Sequence, residues 1–344
     1  MRQALYSSRK REFWPHIILL YVLLVICGLL SFGVGRYGIA PQTIIDIFLT
    51  KLGLGTPYWE NALETVVLNV RLPRILLAVM VGGALAVSGA SYQTLFKNPM
   101  VSPAILGVSA GAGFGAALAM VLNGLWWQIQ LSAFIFGILA VFAAYMIAWV
   151  FGRQELTVMI LGGVIISSLF GALLSIVKLA ADTDNALPSI VFWLMGSLGR
   201  STIRDVLLIL PTLVASLGLL YFFRYQINTL SAGEEEAVTL GVSVRLTKGV
   251  VVIAATLLTV AAVSVCGIVG WVGLVVPHMA RMLTGANFPR LIITSFGIGG
   301  LFLLVVDNVV RGLPGVELPL GVLTALVGTP LFVVLLGRVR RGWA

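Results

Sequence analysis

The sequence predicts an all-α polytopic membrane protein with about ten transmembrane helices, in which the whole chain, residues 1–344, forms a single transmembrane domain. Two observations carry this prediction. Hydrophobic residues make up 59% of the chain and charged residues only 10%, whereas soluble domains carry roughly a quarter charged residues. Apolar runs of about 20 residues, the length that crosses a bilayer core, also recur along the chain. Such a chain must present apolar surface to lipid.

The apolar runs set the expected spans, and an even number of spans places both termini on the same side of the membrane. The segment 181–204 lies between two spans and is expected to form a short helix at the outer interface. The expected spans lie near 15–35, 74–95, 104–122, 129–150, 156–180, 203–223, 246–266, 268–284, 289–309 and 318–337.

Basic residues near the ends of the spans predict that both termini are cytoplasmic, because cytoplasmic loops carry the excess of Lys and Arg. The N-terminal tail 1–14 and the polar segment 225–248 then also lie in the cytoplasm. The segment 36–74 is an exception, since it is placed outside and still holds four basic residues. The basic residues at the two ends are Arg2, Arg9, Lys10, Arg11, Arg338, Arg340 and Arg341.

Several classes of function are excluded by composition and motif. Cys27 and Cys266 both lie inside apolar runs and only two histidines occur, so we expect no disulfide framework, metal site or haem in this chain. No G-x-x-x-x-G-K sequence followed by Ser or Thr occurs, so ATP is not expected to bind here. The net charge of +9 comes largely from arginines at the ends and between spans and does not indicate nucleic acid.

The polar segment 231–248 is the first candidate site. Glu234 to Glu236 follow Gly233, and Gly241 comes five residues after them. In a helix opened by Gly233 these carboxylates occupy the first turn, where the helix dipole favours negative charge, and Gly241 is a natural stop. The segment is either a solvated loop between two spans or a docking element for a cytoplasmic partner.

Three arginines at the predicted outer face form the second candidate site. Arg71 and Arg74 belong to the sequence RLPR, and Arg311 follows Asp307 by four residues. Guanidinium groups pair bidentately with carboxylates, so three of them at one face can receive acidic side chains of a partner. For Asp307 a local ion pair with Arg311 is the simpler expectation, because residues four apart on a helix are neighbours.

A break between the second and third spans is the third candidate. Pro99 and Pro103 prevent a continuous helix there. Irregular backbone at membrane depth is tolerated where it is buried in protein or lines a water-filled cavity. The break is therefore either an ordinary short loop or a constriction at the cytoplasmic end of a pathway.

Seven blocks, in order over nearly the whole chain, resemble the permease subunits of the FecCD family. These are the type II ABC importers for iron–siderophore complexes, haem, cobalamin and, in some members, molybdate or tungstate. The blocks are RLPR at 71–74, Gln93 with KNPMVSPAILGVSAGAG at 97–113, FWLMGSLG at 192–199, AGEEEAVTLGV at 232–242, CGIVGWVGLVVPHMARMLTG at 266–285, DNVVR at 307–311 and ELPLGVLTALVGTPLFVVLL at 317–336.

The resemblance implies a multi-pass protein of a bacterial or archaeal plasma (inner) membrane that acts as a homodimer with the translocation path at its two-fold axis. It further implies two cytoplasmic ATPase subunits, which bind the ATP and magnesium, and one extracytoplasmic substrate-binding protein. No chemistry is then done on the substrate, and this chain is not an enzyme. On the same resemblance, the chain is expected to hold no cofactor and no metal.

The resemblance also assigns roles to particular residues. Coupling to the ATPase falls on Glu234, Glu235, Glu236, Ala237, Leu240, Gly241 and Val242. Docking of the binding protein falls on Arg71, Arg74 and Arg311. The cytoplasmic gate falls on Asn98, Pro99, Met100 and Thr157.

The sequence departs from the family pattern at two positions. Trp271 stands where a phenylalanine is expected, and Asn287 stands where an aspartate–histidine pair is common.

An iron chelate is the leading expectation for the cargo, while haem, a corrinoid and molybdate or tungstate stay open. A secondary transporter driven by protons or sodium is the alternative of another class. It would need intramembrane carboxylates as relays, of which Asp307 is the one expected here.

Overall fold

The computed structural model describes residues 2–152, 156–313, 315 and 317–339, with side chains for 13–151, 156–313, 315 and 317–335. The regular structure in these ranges is helical, and they contain no β-strand. The terminal residues Arg340 and Arg341, which support the predicted orientation, lie outside the described residues.

Fifteen α-helices follow one another in the described ranges. The first seven are α1 Arg2–Ser31, α2 Pro41–Lys51, α3 Asn61–Thr65, α4 Leu72–Leu95, α5 Val108–Val121, α6 Trp126–Gly152 and α7 Leu156–Ala180. The others are α8 Ala186–Leu194, α9 Ile203–Phe222, α10 Arg224–Ala232, α11 Glu234–Thr239, α12 Val244–Cys266, α13 Val272–Thr284, α14 Phe288–Gly312 and α15 Leu320–Val339.

Seven helical stretches of the described ranges are long and apolar enough to cross a membrane, and two shorter apolar helices, α5 and the Leu320–Leu335 part of α15, accompany them. The predicted all-helical, multi-span architecture is confirmed. Helix α13, in the expected span 268–284, has only 13 residues. The count of ten crossings therefore stays a prediction.

The boundaries of several spans differ from the expectation. The tail 1–14 is helical from Arg2 onward, as part of α1. The expected span 104–122 begins instead with a short 3₁₀ turn, Pro103–Leu106, and α5 follows it with only 14 residues. Gly107 joins the two at a φ of +87°, a left-handed conformation that suits glycine because it has no Cβ. The expected short helix within 181–204 is confirmed as α8.

Helix α4 also begins earlier than expected. A π-helical turn, Val66–Arg71, joins α3 to α4 and produces one helical stretch of 35 residues, Asn61–Leu95. Pro73 lacks an N–H for the preceding turn and its ring crowds that turn, and a π turn is the form in which a helix accommodates one extra residue. The N–H of Leu72 accordingly bonds to the carbonyl oxygen of Val67.

Helix α4 lies at the centre of the fold, with 21 of its 24 residues buried. Small residues bring its backbone close to two neighbours. A Cβ on Gly82 would lie 2.2 Å from the carbonyl oxygen of Gly299 in α14, and a Cβ on Gly89 would lie 1.8 Å from that of Gly273 in α13. Pro277, inside α13, has no N–H to offer the Gly273 carbonyl, so this oxygen is free to face α4.

Hydrogen bonds between buried hydroxyl groups hold α4 against α12. The Ser88 and Thr259 hydroxyls are 2.7 Å apart, and so are the Tyr92 and Thr256 hydroxyls. In lipid such contacts between helices contribute about 0.6 kcal/mol each on average. The two contacts together therefore add only about 1 kcal/mol to the stability of the α4–α12 pair.

At the end of the membrane helices opposite α11, three irregular stretches join by backbone hydrogen bonds. The N–H of Ser197 bonds to the carbonyl of Cys266, and the N–H of Leu320 to the carbonyl of Gly196, at 2.8 Å each. This arrangement satisfies polar backbone groups where the helices α8, α12 and α15 begin or end. Non-helical backbone is thus kept within protein, as the bilayer requires.

Replacing Gly89 by alanine tests the packing of α4 on α13. The added methyl group would overlap a backbone oxygen, and overpacking of this kind costs about 1–3 kcal/mol. We expect a lower thermal midpoint for the purified protein in detergent. Gly249→Ala in α12 is the matched control, because a Cβ at that position meets nothing within 4 Å. Equal midpoints for the two variants would contradict the proposed role of this contact.

Candidate functional site

The polar segment 231–248 contains a short, well-capped helix. Gly233 is the N-cap of α11, and Gly241 adopts a φ of +75° after its last turn. The N–H groups of Gly241 and Val242 bond to the carbonyl oxygens of Val238 and Ala237 at 2.9 and 2.8 Å. These two bonds form a Schellman motif, which satisfies the free carbonyl groups at a helix end. The predicted helix between the two glycines is confirmed.

The three consecutive carboxylates of α11 have different surroundings. Glu234 forms an ion pair with Lys248 of α12 at 2.7 Å. The carboxylate of Glu236 folds back over Gly233, where an added Cβ would lie 1.5 Å from its Oε2 atom. Glu235 is exposed and has no hydrogen-bond or ion-pair partner in the described ranges. Glu236 is likewise exposed and its carboxylate has no such partner among the described residues, so both carboxylates are available to another molecule and only Glu234 is paired within the chain.

The apolar residues of α11 and of the position that follows it comprise one buried residue and one exposed pair. Ala237 is fully buried at 0% exposure, whereas Val238 and Leu240 are 64% and 71% exposed. Ala237 was expected to contact a partner. In the single chain Ala237 is buried where α11 attaches to the other helices, and its role in coupling stays a prediction. Val238, which the family resemblance did not assign, presents apolar surface beside the carboxylates.

The base of α11 is connected to the membrane helices. The ion pair between Glu234 and Lys248 connects α11 to α12. In the neighbouring α10, the Asn228 side chain accepts a hydrogen bond of 2.9 Å from the backbone N–H of Phe288, at the start of α14. Ile227 and Leu230 of α10 are buried in the core. A force on α11 would therefore reach α12 directly and α14 through α10.

The predicted gate is a tight turn after α4. Lys97 adopts a φ of +50°, and the side-chain oxygen of Asn98 accepts a bond of 2.9 Å from the N–H of Met100, as in an Asx turn. Met100 is 52% exposed. Thr157 is also exposed, at the start of α7, and no hydrogen bond joins it to the turn among the described residues.

Sequence reasoning gave Gln93 no role, yet this residue connects three parts of the gate region. Its side chain is 2% exposed. Its amide nitrogen donates to the carbonyls of Val101, in the turn, and Leu274, in α13, at 3.2 Å each. Its amide oxygen accepts a bond of 2.6 Å from Arg281. A glutamine within an apolar span is the one signal in the sequence that points to such a role.

The three outer arginines lie together, as expected. They line one open cavity of about 230 Å³ that also includes Tyr37 and Glu317. This cavity lies where the ends of α1, α4 and α14 meet. The exposures of Arg71, Arg74 and Arg311 are only 4%, 7% and 8%.

The outer arginines already have partners inside the chain. Asp307, at 0% exposure, is 2.8 Å from Arg74 and 2.9 Å from Arg311, so the expected pair with Arg311 is confirmed and enlarged by Arg74. Glu317 forms a second ion pair with Arg74, and Arg71 donates to backbone carbonyl groups. Their role in docking stays a prediction. A partner's carboxylate would enter beside Glu317, the more exposed of the two acids.

A second buried carboxylate, which sequence reasoning missed, lies in the first turn of α9. Asp205 is 5% exposed and accepts a hydrogen bond of 2.6 Å from the side chain of Gln130 in α6. Its other oxygen accepts bonds from the backbone N–H and hydroxyl of Thr202, at 2.8 Å each, which forms a capping box. The expectation that Asp307 is the one intramembrane carboxylate was therefore wrong.

Among the residues that the structure describes, no group of three or more His, Cys, Asp and Glu side chains is placed to hold a metal ion. The described residues instead provide two separate faces with exposed or paired charges. One is α11 with the gate turn at one end of the membrane helices, and the other is the arginine cavity at the opposite end.

The chain is similar to known transport permeases over most of its length. It is 38% identical over 293 residues to the molybdate import system permease of Haemophilus influenzae, covering 83% of this chain and 85% of that protein. It is 37% identical to the haemin transport system permease of Yersinia pestis, covering 79% and 80% of the two chains.

A solved structure of a metal-chelate type ABC transporter in an inward-facing conformation superimposes with a TM-score of 0.84 at 36% identity, covering 94% of this chain and 99% of that one. A profile of the FecCD transport family matches residues 23–338. The chain belongs to the FecCD transport family, a family of ABC transporter permeases.

Proposed function

We propose that this chain is the membrane-spanning permease of an ATP-driven importer that moves a metal chelate, with an iron–siderophore or related iron complex as the first choice, from a binding protein into the cytoplasm. The observation that carries the proposal is the match of fold and sequence over almost the whole chain to a metal-chelate type transporter. In this proposal two copies of the chain form the path. Two cytoplasmic ATPase subunits bind ATP and magnesium, and one binding protein docks outside.

The coupling step in this proposal begins at α11. Closure of the ATPase pair on ATP moves the exposed surface formed by Glu235, Val238 and Leu240. The Glu234–Lys248 ion pair and the Asn228–Phe288 hydrogen bond transmit the movement to α12 and α14. Both helices pack on α4, which ends at the gate turn. Coupling of this kind requires an element with two states that both sides bias, and the helices around α4 are our candidate.

Other cargoes remain alternatives within the same class. The relatives include permeases for molybdate and for haemin, and cobalamin is the cargo of a third, from Halobacterium salinarum. The pairing of the buried carboxylates disfavours a secondary transporter, because such a transporter needs carboxylates that can exchange protons or bind ions. Asp307 is held by two arginines and Asp205 by Gln130 and Thr202, so neither is free to act as a proton relay.

Replacement of Glu235 by glutamine tests the coupling surface. We expect ligand-stimulated ATP hydrolysis by the reconstituted complex of permease, ATPase and binding protein to fall about tenfold or more, because a charge-assisted contact is worth about 1.5–3 kcal/mol and each 1.4 kcal/mol is a factor of about ten. Glu60→Gln, at an exposed position outside the cytoplasmic segment, is the control. Unchanged stimulation in the Glu235 variant would remove this residue from the coupling surface. Ion-gradient-driven uptake without any ATPase would overturn the importer itself.

Replacement of Glu317 by glutamine tests docking at the outer arginines. Glu317 pairs with Arg74 and would compete with an incoming carboxylate, so its neutralisation should tighten binding of the binding protein several-fold. Asp307→Asn should instead destabilise the fold by about 3–5 kcal/mol, since it leaves the buried Arg311 without a counter-charge and Arg74 with Glu317 alone. Binding affinity, by surface plasmon resonance, and thermal midpoint are the two measurements. Unaltered affinity in the Glu317 variant would exclude docking through Arg74.

A further inference from the structure

A further cavity in the described ranges lies apart from both faces discussed above. It has a volume of about 920 Å³ and lies on the outer side, between the turn that joins α5 to α6 and the segment 181–200. We call it the outer cavity. Cavities of roughly 300–1,000 Å³ are the usual size for small-molecule sites.

Aromatic rings form much of its wall. Trp126 at the start of α6 and Phe192 and Trp193 in α8 all line the outer cavity. Trp193 is 6% exposed, and the indole N–H groups of both tryptophans are buried without a hydrogen-bond partner among the described residues. Buried polar groups in native structures are nearly always paired. The wall thus combines apolar rings with donors that lack an acceptor.

The cavity also contains one unpaired cation. The guanidinium of Arg200 lies over the ring of Trp126, 5.5 Å from its centroid, a distance at which a cation is attracted to the ring face. Arg200 is exposed, and within the described part of the chain no carboxylate lies within ion-pair distance of it. Its charge is therefore available to a molecule that enters the cavity.

The one carboxylate of the lining is already committed. Asp182 accepts hydrogen bonds of 3.1 Å from the backbone N–H and the side-chain amide of Asn185. Hydrogen bonds from Asn185 and from the backbone of Asp184 lower the pKa of Asp182, so this carboxylate is ionised at neutral pH and stays engaged with these donors. An anion would therefore find its counter-charge at Arg200.

Two buried contacts hold the walls of the outer cavity in place. The Gln130–Asp205 hydrogen bond of 2.6 Å ties α6, which carries Trp126, to α9, which follows Arg200. The bond between the N–H of Ser197 and the carbonyl of Cys266 holds the segment after α8. A site whose side chains sit on packed elements loses little conformational entropy when a ligand binds.

From these observations we propose that the outer cavity is a binding site for the cargo on its way into the permease, and that it takes an anionic chelate bearing aromatic rings, of the catecholate type. The rings of such a ligand would stack on Trp126 and Phe192, and an anionic oxygen would pair with Arg200. The proposal rests on the importer function above and narrows the substrate class.

The test uses the permease–ATPase complex in lipid nanodiscs without binding protein. The probe is the radiolabelled ferric complex of 2,3-dihydroxybenzoate, and ferrichrome, an uncharged hydroxamate chelate without aromatic rings, is the comparison ligand. We expect saturable retention of the catecholate complex and weak retention of ferrichrome. Arg200→Gln should raise the Kd for the catecholate complex about tenfold, a change of about 1.4 kcal/mol, because the variant removes the charge that pairs with the anionic oxygen.

Arg204→Gln is the matched control, because Arg204 is exposed at the start of α9 and does not line the cavity. A thermal midpoint equal to that of the unmodified protein verifies that Arg200→Gln folds. Three results would each overturn the proposal: equal Kd values for the two variants, equal retention of ferrichrome and the catecholate complex, or no saturable retention of the catecholate complex. A loss of binding-protein affinity with unchanged chelate retention would also overturn it, in favour of a docking surface.

The two proposals fail in different ways. ATP-dependent uptake through the full complex with no effect of Arg200→Gln on binding or uptake of any chelate would remove the outer cavity as a cargo site and keep the importer. Absence of ATP-dependent uptake of every candidate ligand would remove the importer itself.

Discussion

The close backbone contact of α4 with α13 and α14 is the constraint on which the rest of the structure depends. Helices in lipid gain little from the hydrophobic effect between them and associate through tight packing of small residues. Gly82 and Gly89 provide that packing on α4. Since α4 connects the outer arginine cavity at one end to the gate turn at the other, its position sets the geometry of both. A shift of α13 or α14 cannot leave either end unchanged.

Much of this architecture could be predicted from the sequence because its signals are local. Apolar runs of the right length identify spans, and Gly233 and Gly241 identify both ends of α11 before any tertiary contact is known. The pair Asp307–Arg311 follows from its spacing of four residues on a helix. The boundaries of α4 and α5 were less accurate, because a π turn at Val66–Arg71 and a 3₁₀ turn at Pro103 continue or interrupt helices without a clear change in hydropathy.

The environment of the charged and polar groups could not be predicted, since it depends on residues far apart in the chain. Arg74 is paired with Asp307, which lies 233 residues away, and nothing local to RLPR indicates that partner. The same is true of Gln93 with Arg281 and of Gln130 with Asp205. A buried polar side chain in an apolar span predicts that some partner exists, and only the packing of the helices shows which one.

The hydrogen bond that Pro277 cannot donate to the Gly273 carbonyl has a mechanical consequence for α13. Bending a helix normally stretches the backbone hydrogen bonds on the convex side of the bend. At this position in α13 one backbone hydrogen bond is already missing. The bond in question would have ended on Gly273, where α13 also touches Gly89. A change in the angle of α13 can therefore pivot on its contact with α4 without a further loss of backbone hydrogen bonding. The point of closest packing in this pair of helices is thus also the point where α13 resists bending least.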